Sequence, residues 1–385
     1  MTGASVIVVG GGILGATTFW ELARESIDVL LLEARGFGGE STAKSAAIVR
    51  CHYSHPEVVR MAVRSREALR QLPLRLECEP VYRRTGWLFL VDEAAAPLAI
   101  ANAGMQDEEG LDTVEVEDLQ ELLPGVDERG IAYALHEPDS GYADPVATTD
   151  AYVRAGRRER GVAREHCAVE SIEVEDGKVR GVRIAGERLG CDAVVLAAGP
   201  WSAKLAATAG VELPLEITRE QDVVFETAPE PSVPCAVSSQ VDRVYMRPEG
   251  DGRVLVGRGY PKEYERADPD RYDEGVDAAF ERDVRERVAT RVPRLAQMRA
   301  VGGHVGLYDV APDWHPLLGP VPGVEGLHLA TGGSGHCFKL APAIGELVAS
   351  ELLGRKLKHA DIAHFSVARF SEGREFRSRY GGNRA

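Results

Sequence analysis

The chain has 385 residues, a formal net charge of −15 and an apolar content of 44%. This length supports a large core and more than one domain. The acidic balance argues against a nucleic-acid partner or an anionic membrane surface, so an anionic ligand would need a local basic pocket.

In chain order, residues 5–9 are an apolar run that reads as a buried strand and feeds Gly10-Gly11-Gly12-Ile13-Leu14-Gly15, a G-x-G-x-x-G turn. A helical stretch (16–24) and a second apolar run (29–32) come next, ending on Glu33. This strand–turn–helix–strand–acid order gives the glycine fingerprint its meaning. Gly10 permits the tight turn, Gly12 lets backbone approach a pyrophosphate, and Gly15 lets the helix pack on the strand. The helix N-terminus offers N–H groups to phosphates. Glu33 is placed to accept hydrogen bonds from ribose hydroxyls and would repel a 2′-phosphate, which favours FAD or NAD over NADP.

Residues 36–47 form a loop rich in Gly, Ser and Thr. Residues 55–75 read as a helix, 85–91 as a strand, 92–125 as an acidic segment with two short helical patterns, and 148–160 as a helix. Residues 169–184 alternate around Asp176-Gly177, which predicts a β-hairpin. Residues 191–196 are another buried strand, running into Ala197-Ala198-Gly199-Pro200-Trp201. Residues 215–260 alternate like antiparallel strands, and 268–291 read as a charged, exposed helical region. A last buried strand at 326–330 leads into a second glycine turn at 332–336 and a helix from about 341 to 353. The chain therefore leaves nucleotide-binding material and returns to it.

Lysine is scarce, seven of 45 basic residues, so a lysine in a suspected site carries weight. The six cysteines form neither C-x-x-C nor a zinc-type spacing, and reduced thiols in a cytoplasmic protein without a metal are expected. The apolar N-terminus lacks the basic region of a signal peptide, and no stretch has the length of a membrane span.

Five segments together carry a resemblance: 10–15 with Glu33-Ala34-Arg35, 39–45, 197–202, 306–313 and 332–339. They resemble the D-amino acid oxidase family of FAD enzymes, nearest its glycine oxidase, sarcosine oxidase β-subunit and dimethylglycine or proline dehydrogenase branch. The resemblance implies an α/β plus α+β fold. A discontinuous Rossmann-like FAD-binding domain would hold residues 1–85, 146–214 and 300–385. A substrate domain on a large, mostly antiparallel sheet would hold 86–145 and 215–299. The implied reaction is oxidation of a C–N bond in a small amino acid or N-methyl or secondary amine, with hydride passing to flavin N5 and the imine then hydrolysed. The electron acceptor is oxygen or another oxidant. The alternatives are a catalytic β-type subunit of a hetero-oligomeric amine dehydrogenase and an FAD-dependent hydroxy-group dehydrogenase; homo- and hetero-oligomers stay open.

The implied cofactor contacts are Gly10, Gly12, Ile13, Leu14, Gly15, Glu33, Ala34 and Arg35, then Ser41, Thr42, Ser45, Ala46 and Ala47. They continue with Val169, Ala198, Gly199, Trp201 and Leu307, and with Gly333, Ser334, Gly335, His336, Cys337, Phe338 and Lys339. His336 would add charge at the flavin or hold its ring. Lys339 would bind the substrate carboxylate, with Arg50 as a bidentate clamp. His52 is a candidate acceptor for the substrate ammonium proton. Tyr245 and Arg247 would share one face of a strand lining the cavity, and Tyr308 would wall it. Trp314 reads as core, and Asp313 as ordering its own loop.

Two departures from the family pattern carry expectations. Gly306 stands where monomeric sarcosine oxidases have a flavin-linking cysteine, so FAD is expected to be non-covalent. The segment 253–260 lacks the lysine that activates oxygen in those enzymes, with Arg258 as the candidate substitute, which leaves a dehydrogenase open.

Overall fold

The structure is a computed structural model that describes residues 4–227 and 233–380. Its first sheet has six strands in the order Leu317–Pro320, Leu327–Thr331, Ala193–Leu196, Val6–Val9, Val29–Leu32, Val162–Arg164. All neighbours are parallel except the Leu317–Pro320 edge. The three central runs are buried along their whole length because both faces of the sheet are covered. Alternate side chains divide between two cores. Val6, Val8, Val29 and Leu31 face helices Ile13–Arg24, Pro56–Arg70, Pro145–Arg158 and Ala341–Leu352. Ile7, Val9, Leu30 and Leu32 face a three-stranded sheet, Val169–Glu175, Lys178–Ile184 and Glu187–Gly190. The expected hairpin lies here; its turn residues Asp176 and Gly177 take φ of 51° and 71°, as a two-residue turn of this kind requires.

A second sheet of nine strands is almost wholly antiparallel. Its longest pair joins Glu216–Glu226 to Arg299–Val310. Arg299–Val310, assigned from residue 300 onward to the FAD-binding domain, hydrogen-bonds into the second sheet, and the chain returns to the first sheet only beyond Val310. The helical reading of 268–291 is corrected. The helix is Ala278–Arg291, and residues 267–277 form an irregular strap rich in Asp and Glu, whose side chains find ion partners across the molecule rather than along a helix face. Among the described residues no helix is long and apolar enough to cross a membrane.

Candidate active site

A cavity of about 450 Å3 opens at the carboxyl ends of Val6–Val9, Val29–Leu32 and Ala193–Leu196, where parallel sheets present ligand sites. Gly10, Gly12, Ile13, Leu14, Glu33, Ala34, Arg35, Ser41, Thr42 and Ser45 line it. So do Val169, Ala198, Gly199, Trp201, Leu307, Tyr308, Gly333, Gly335, His336, Cys337 and Phe338. Gly15 serves packing instead: a Cβ there would lie 1.9 Å from the Gly10 carbonyl oxygen. Gly10 has φ of 107°, and a Cβ on it would strike the Ala197 carbonyl oxygen at 2.3 Å, so the turn tolerates no side chain. The loop after Glu33 closes on the helix start, Thr42 Oγ1 accepting the Ile13 N–H at 3.1 Å. Glu33 is fixed at the rim by the N–H groups of Gly11 at 2.6 Å and Arg35 at 2.8 Å. A bare glycine turn beside an oriented carboxylate fits the pyrophosphate and ribose of FAD.

Sequence reasoning missed other residues of this cavity. Asp309 Oδ2 accepts the Gly332 N–H at 2.7 Å and the Thr331 hydroxyl at 3.0 Å, fixing the second glycine turn. The strap crosses to cavity residues: Lys44 donates to Tyr272 and Glu274 at 2.8 and 3.0 Å, and Trp201 to Asp270 at 2.7 Å. Local patterning carries no signal for such long-range pairs.

A second cavity of about 230 Å3 shares Ser45, Tyr308, Gly335, His336 and Phe338 with the first. At the junction Gly335 takes φ of 73°, and a Cβ would lie 2.1 Å from the Tyr308 ring, so the turn packs directly on that tyrosine. Ala46, Ala47, Ser334, Lys339, Arg50, His52 and Tyr245 line this cavity, with Trp87, Phe89, Tyr260 and Tyr380 adding aromatic surface. Ala46, Ala47, Ser334 and Lys339, expected at the cofactor, line this second cavity where it adjoins the first. Trp314, read as core, also lines the second cavity.

Arg50 and Lys339 bring positive charge to this wall. The Arg50 guanidinium donates to the His52 carbonyl and lies 4.7 Å from the Tyr53 ring centre and 5.6 Å from that of Trp87. Lys339 is only 8% exposed and donates to the His336 carbonyl at 3.2 Å. Burial, and next the Arg50 charge, bring its pKa down to about 7. Each cation has further N–H donors to offer an anion.

Three expectations are corrected. His52 does not suit a proton acceptor: Nδ1 faces the Gln106 amide at 3.1 Å, Nε2 meets the Tyr380 hydroxyl at 2.6 Å, and burial beside Arg50 pushes its pKa down to about 3. His336 adds no charge. Its Nε2 meets the Trp314 carbonyl at 2.6 Å, which requires the proton on that nitrogen, and burial followed by the Lys339 charge holds it neutral. Arg247 lies outside both cavities; it donates to the Ala46 carbonyl at 2.5 Å and lies over the Tyr142 ring at 4.5 Å, so it holds the loop that carries Ala46. Arg258 lines the second cavity and is paired with Asp283. The strand Arg253–Arg258 lacks a lysine, as read, but Lys262 reaches the same cavity from the turn beyond, paired with Glu220 and 5.9 Å from the Tyr308 ring centre. Asp313 orders its surroundings through buried Arg369, at 2.7 Å to each carboxylate oxygen.

A family model described as FAD dependent oxidoreductase matches residues 5–351. The chain belongs to this family. Glycine oxidase of Pseudomonas putida is 31% identical, over 91% of this chain and 94% of that protein. FAD-dependent oxidoreductase domain-containing protein 1 of Bos taurus is 28% identical, over 91% of this chain and 81% of that protein. Among solved structures, L-proline dehydrogenase from P. horikoshii superposes with a TM-score of 0.90 at 26% identity, covering 98% of this chain and 100% of that one. The chain is therefore an FAD-dependent oxidoreductase, with the fold of these flavoproteins.

Proposed function

We propose that the enzyme oxidises the C–N bond of a small amino acid, primary or N-alkylated, whose carboxylate lies between Arg50 and Lys339. The observation that carries this reading is the pair of cations on an aromatic-walled cavity that joins the cofactor cavity through Tyr308, Gly335 and His336. The names of similar proteins point the same way: glycine oxidase, 4-methylaminobutanoate oxidase (formaldehyde-forming) of Paenarthrobacter nicotinovorans and L-proline dehydrogenase are all named for amines that carry a carboxylate. A hydroxy-group substrate would lack the amine these names share.

Bound FAD supplies the acceptor for the hydride at N5. The chain holds the carboxylate by charge-assisted hydrogen bonds from Arg50 and Lys339. Trp87, Phe89, Tyr245, Tyr308 and Phe338 exclude water from the reacting carbon and fix its orientation. Hydride loss needs an uncharged amine, so a proton must leave the cavity first. Gly306 offers no side chain where related enzymes link the flavin, so FAD is held without a covalent bond at that position.

Anaerobic addition of sarcosine, glycine, dimethylglycine, proline and D-amino acids to the FAD-loaded protein tests the reading. At least one of them bleaches the visible flavin band. Recovery on admitting air marks an oxidase, and persistence marks a dehydrogenase with another acceptor. A band untouched by every member contradicts the proposal. Acid precipitation leaves the flavin in the supernatant; flavin retained in the pellet contradicts non-covalent binding.

A further inference from the structure

We infer that Tyr245, Asp222 and His304 form a proton path through the second sheet, joining the substrate cavity to the surface. The inference rests on the proposed amine chemistry for its direction, and on geometry for its existence. Four residues stand in one row across four adjacent strands: Tyr245 opposite Gly257, Gly257 opposite Asp222, and Asp222 opposite His304. Residues directly opposite one another project from the same sheet face. Gly257 is the key to the row. A Cβ there would lie 2.1 Å from Asp222 Oδ1 and 2.3 Å from the Tyr245 hydroxyl. The missing side chain leaves a slot in which the phenol crosses one strand and meets the carboxylate beyond it.

The contacts are continuous. The Tyr245 hydroxyl donates to Asp222 Oδ1 at 2.7 Å, and His304 Nε2 faces Asp222 Oδ2 at 3.2 Å. At the inner end Tyr245 lines the substrate cavity together with Tyr308, which lines both cavities. At the outer end the His304 side chain is 25% exposed, while that of Asp222 is 6% exposed. The other charged pair facing this wall, Glu220 and Lys262, is closed on itself.

The transfer balances without a co-reactant. A proton of the substrate ammonium passes to the Tyr245 oxygen as the phenol proton passes to Asp222 Oδ1, leaving the neutral amine. The carboxyl group turns and gives the proton to His304 Nε2, and the imidazolium releases one to water. One proton leaves per ammonium; Tyr245 and Asp222 end as they began, and His304 returns to its starting tautomer by exchange with water. His52, neutral and enclosed by Gln106 and Tyr380, is then free of any part in this transfer. Tyr245 touches the cavity; Asp222 and His304 act through it.

The test compares Tyr245→Phe, Asp222→Asn and His304→Ala as FAD-loaded proteins. Anaerobic flavin reduction by the best amine is expected to slow by tenfold or more in Asp222→Asn, with the substrate concentration dependence unchanged. Free imidazole in the buffer is expected to restore the His304→Ala rate, which loss of a purely structural contact would not allow. Wild-type rate in His304→Ala without imidazole, together with an unaltered Asp222→Asn, overturns the path. Light-driven reduction with an indicator dye supplies a readout that needs no amine: proton uptake slows in Asp222→Asn and His304→Ala. If no amine reduces the wild type yet uptake slows, the amine reading fails and the path stands; unchanged uptake overturns the path. In the cofactor-free protein, the ring-nitrogen NMR shifts of His304 are expected to move in Tyr245→Phe, because both residues bond one carboxylate. Unmoved shifts count against the chain of contacts.

Discussion

Two pairs of cations line the substrate cavity, and the fold treats them differently. Lys262 and Arg258 are held by the carboxylates of Glu220 and Asp283. Arg50 and Lys339 give their hydrogen bonds to backbone carbonyls of His52 and His336. Glu137, the carboxylate that acts on Lys339 through space, is itself engaged by the Cys51 N–H at 2.8 Å and by the Ser140 hydroxyl. A carbonyl orients a cation without cancelling its charge. A buried cation oriented this way keeps a strong field for an incoming anion, and burial, followed by the Arg50 charge, lowers the pKa of Lys339. The paired cations shape the wall, and the two without an ion pair among the described residues are those proposed to hold the ligand.

The sharpest way to break this contrast is to remove both unneutralised charges. Hydrogen bonds to charged groups contribute about 2 kcal/mol each, so Arg50→Gln with Lys339→Met is expected to lower kcat/KM by roughly a thousandfold. Flavin content should stay unchanged, since both side chains line the neighbouring cavity. Loss of activity with loss of flavin would show that the cations support the cofactor instead. Lys262→Met should act elsewhere. It leaves Glu220 buried and unpaired, at a cost of about 3 kcal/mol, read as a fall in Tm larger than any change in affinity for the carboxylate.

The pH profile sharpens the contrast further. Lys339 is charged below about pH 7 and loses its proton above it. The groups acting on it are Arg50, which lowers its pKa, and Cys337, Cys51 and Glu137, which raise it. For a carboxylate substrate, kcat/KM measured on the free enzyme is expected to fall as pH rises through that value. Lys339→Arg keeps its charge there, so the falling limb should vanish even if the overall rate is lower. A limb that persists in the arginine variant belongs to another group. The smallest effect is expected from His52. With its pKa near 3, it stays neutral across the working range, so His52→Asn should alter the rate modestly through packing and leave the profile's shape untouched.

The cofactor cavity was far more legible in the sequence than its neighbour, for a physical reason. Phosphate binding at a strand–helix junction is a local matter, and Gly10, Gly12 and Glu33 lie within one βαβ unit whose spacing reflects backbone geometry. The substrate wall is assembled from strands distant in sequence. Trp87, Tyr260, Lys262 and Tyr380 converge there only after the second sheet closes and the C-terminal segment returns across it. Arg247 shows the limit of strand alternation: period two gives the face, not the partner, and the Ala46 carbonyl claims its guanidinium. His52 shows the limit of residue type, since Gln106 and Tyr380, distant in sequence, enclose it. Lys339 is singled out by the family resemblance of the turn at 332–339, with the scarcity of lysine adding weight, and its side chain lines the second cavity. The strap at 267–277 misled because its acids suit an exposed helix as well as ion pairs to Lys44 and Lys204.

The most direct measurement compares an amino acid with the amine left when its carboxylate is removed, both added without oxygen to the FAD-loaded wild type. The pair is chosen from whichever amino acid bleaches the flavin band fastest. The account predicts rapid bleaching by the amino acid and a rate at least a hundredfold lower with the bare amine at equal concentration, the difference disappearing in the Arg50→Gln, Lys339→Met double variant. Equal bleaching by both compounds in the wild type would contradict it.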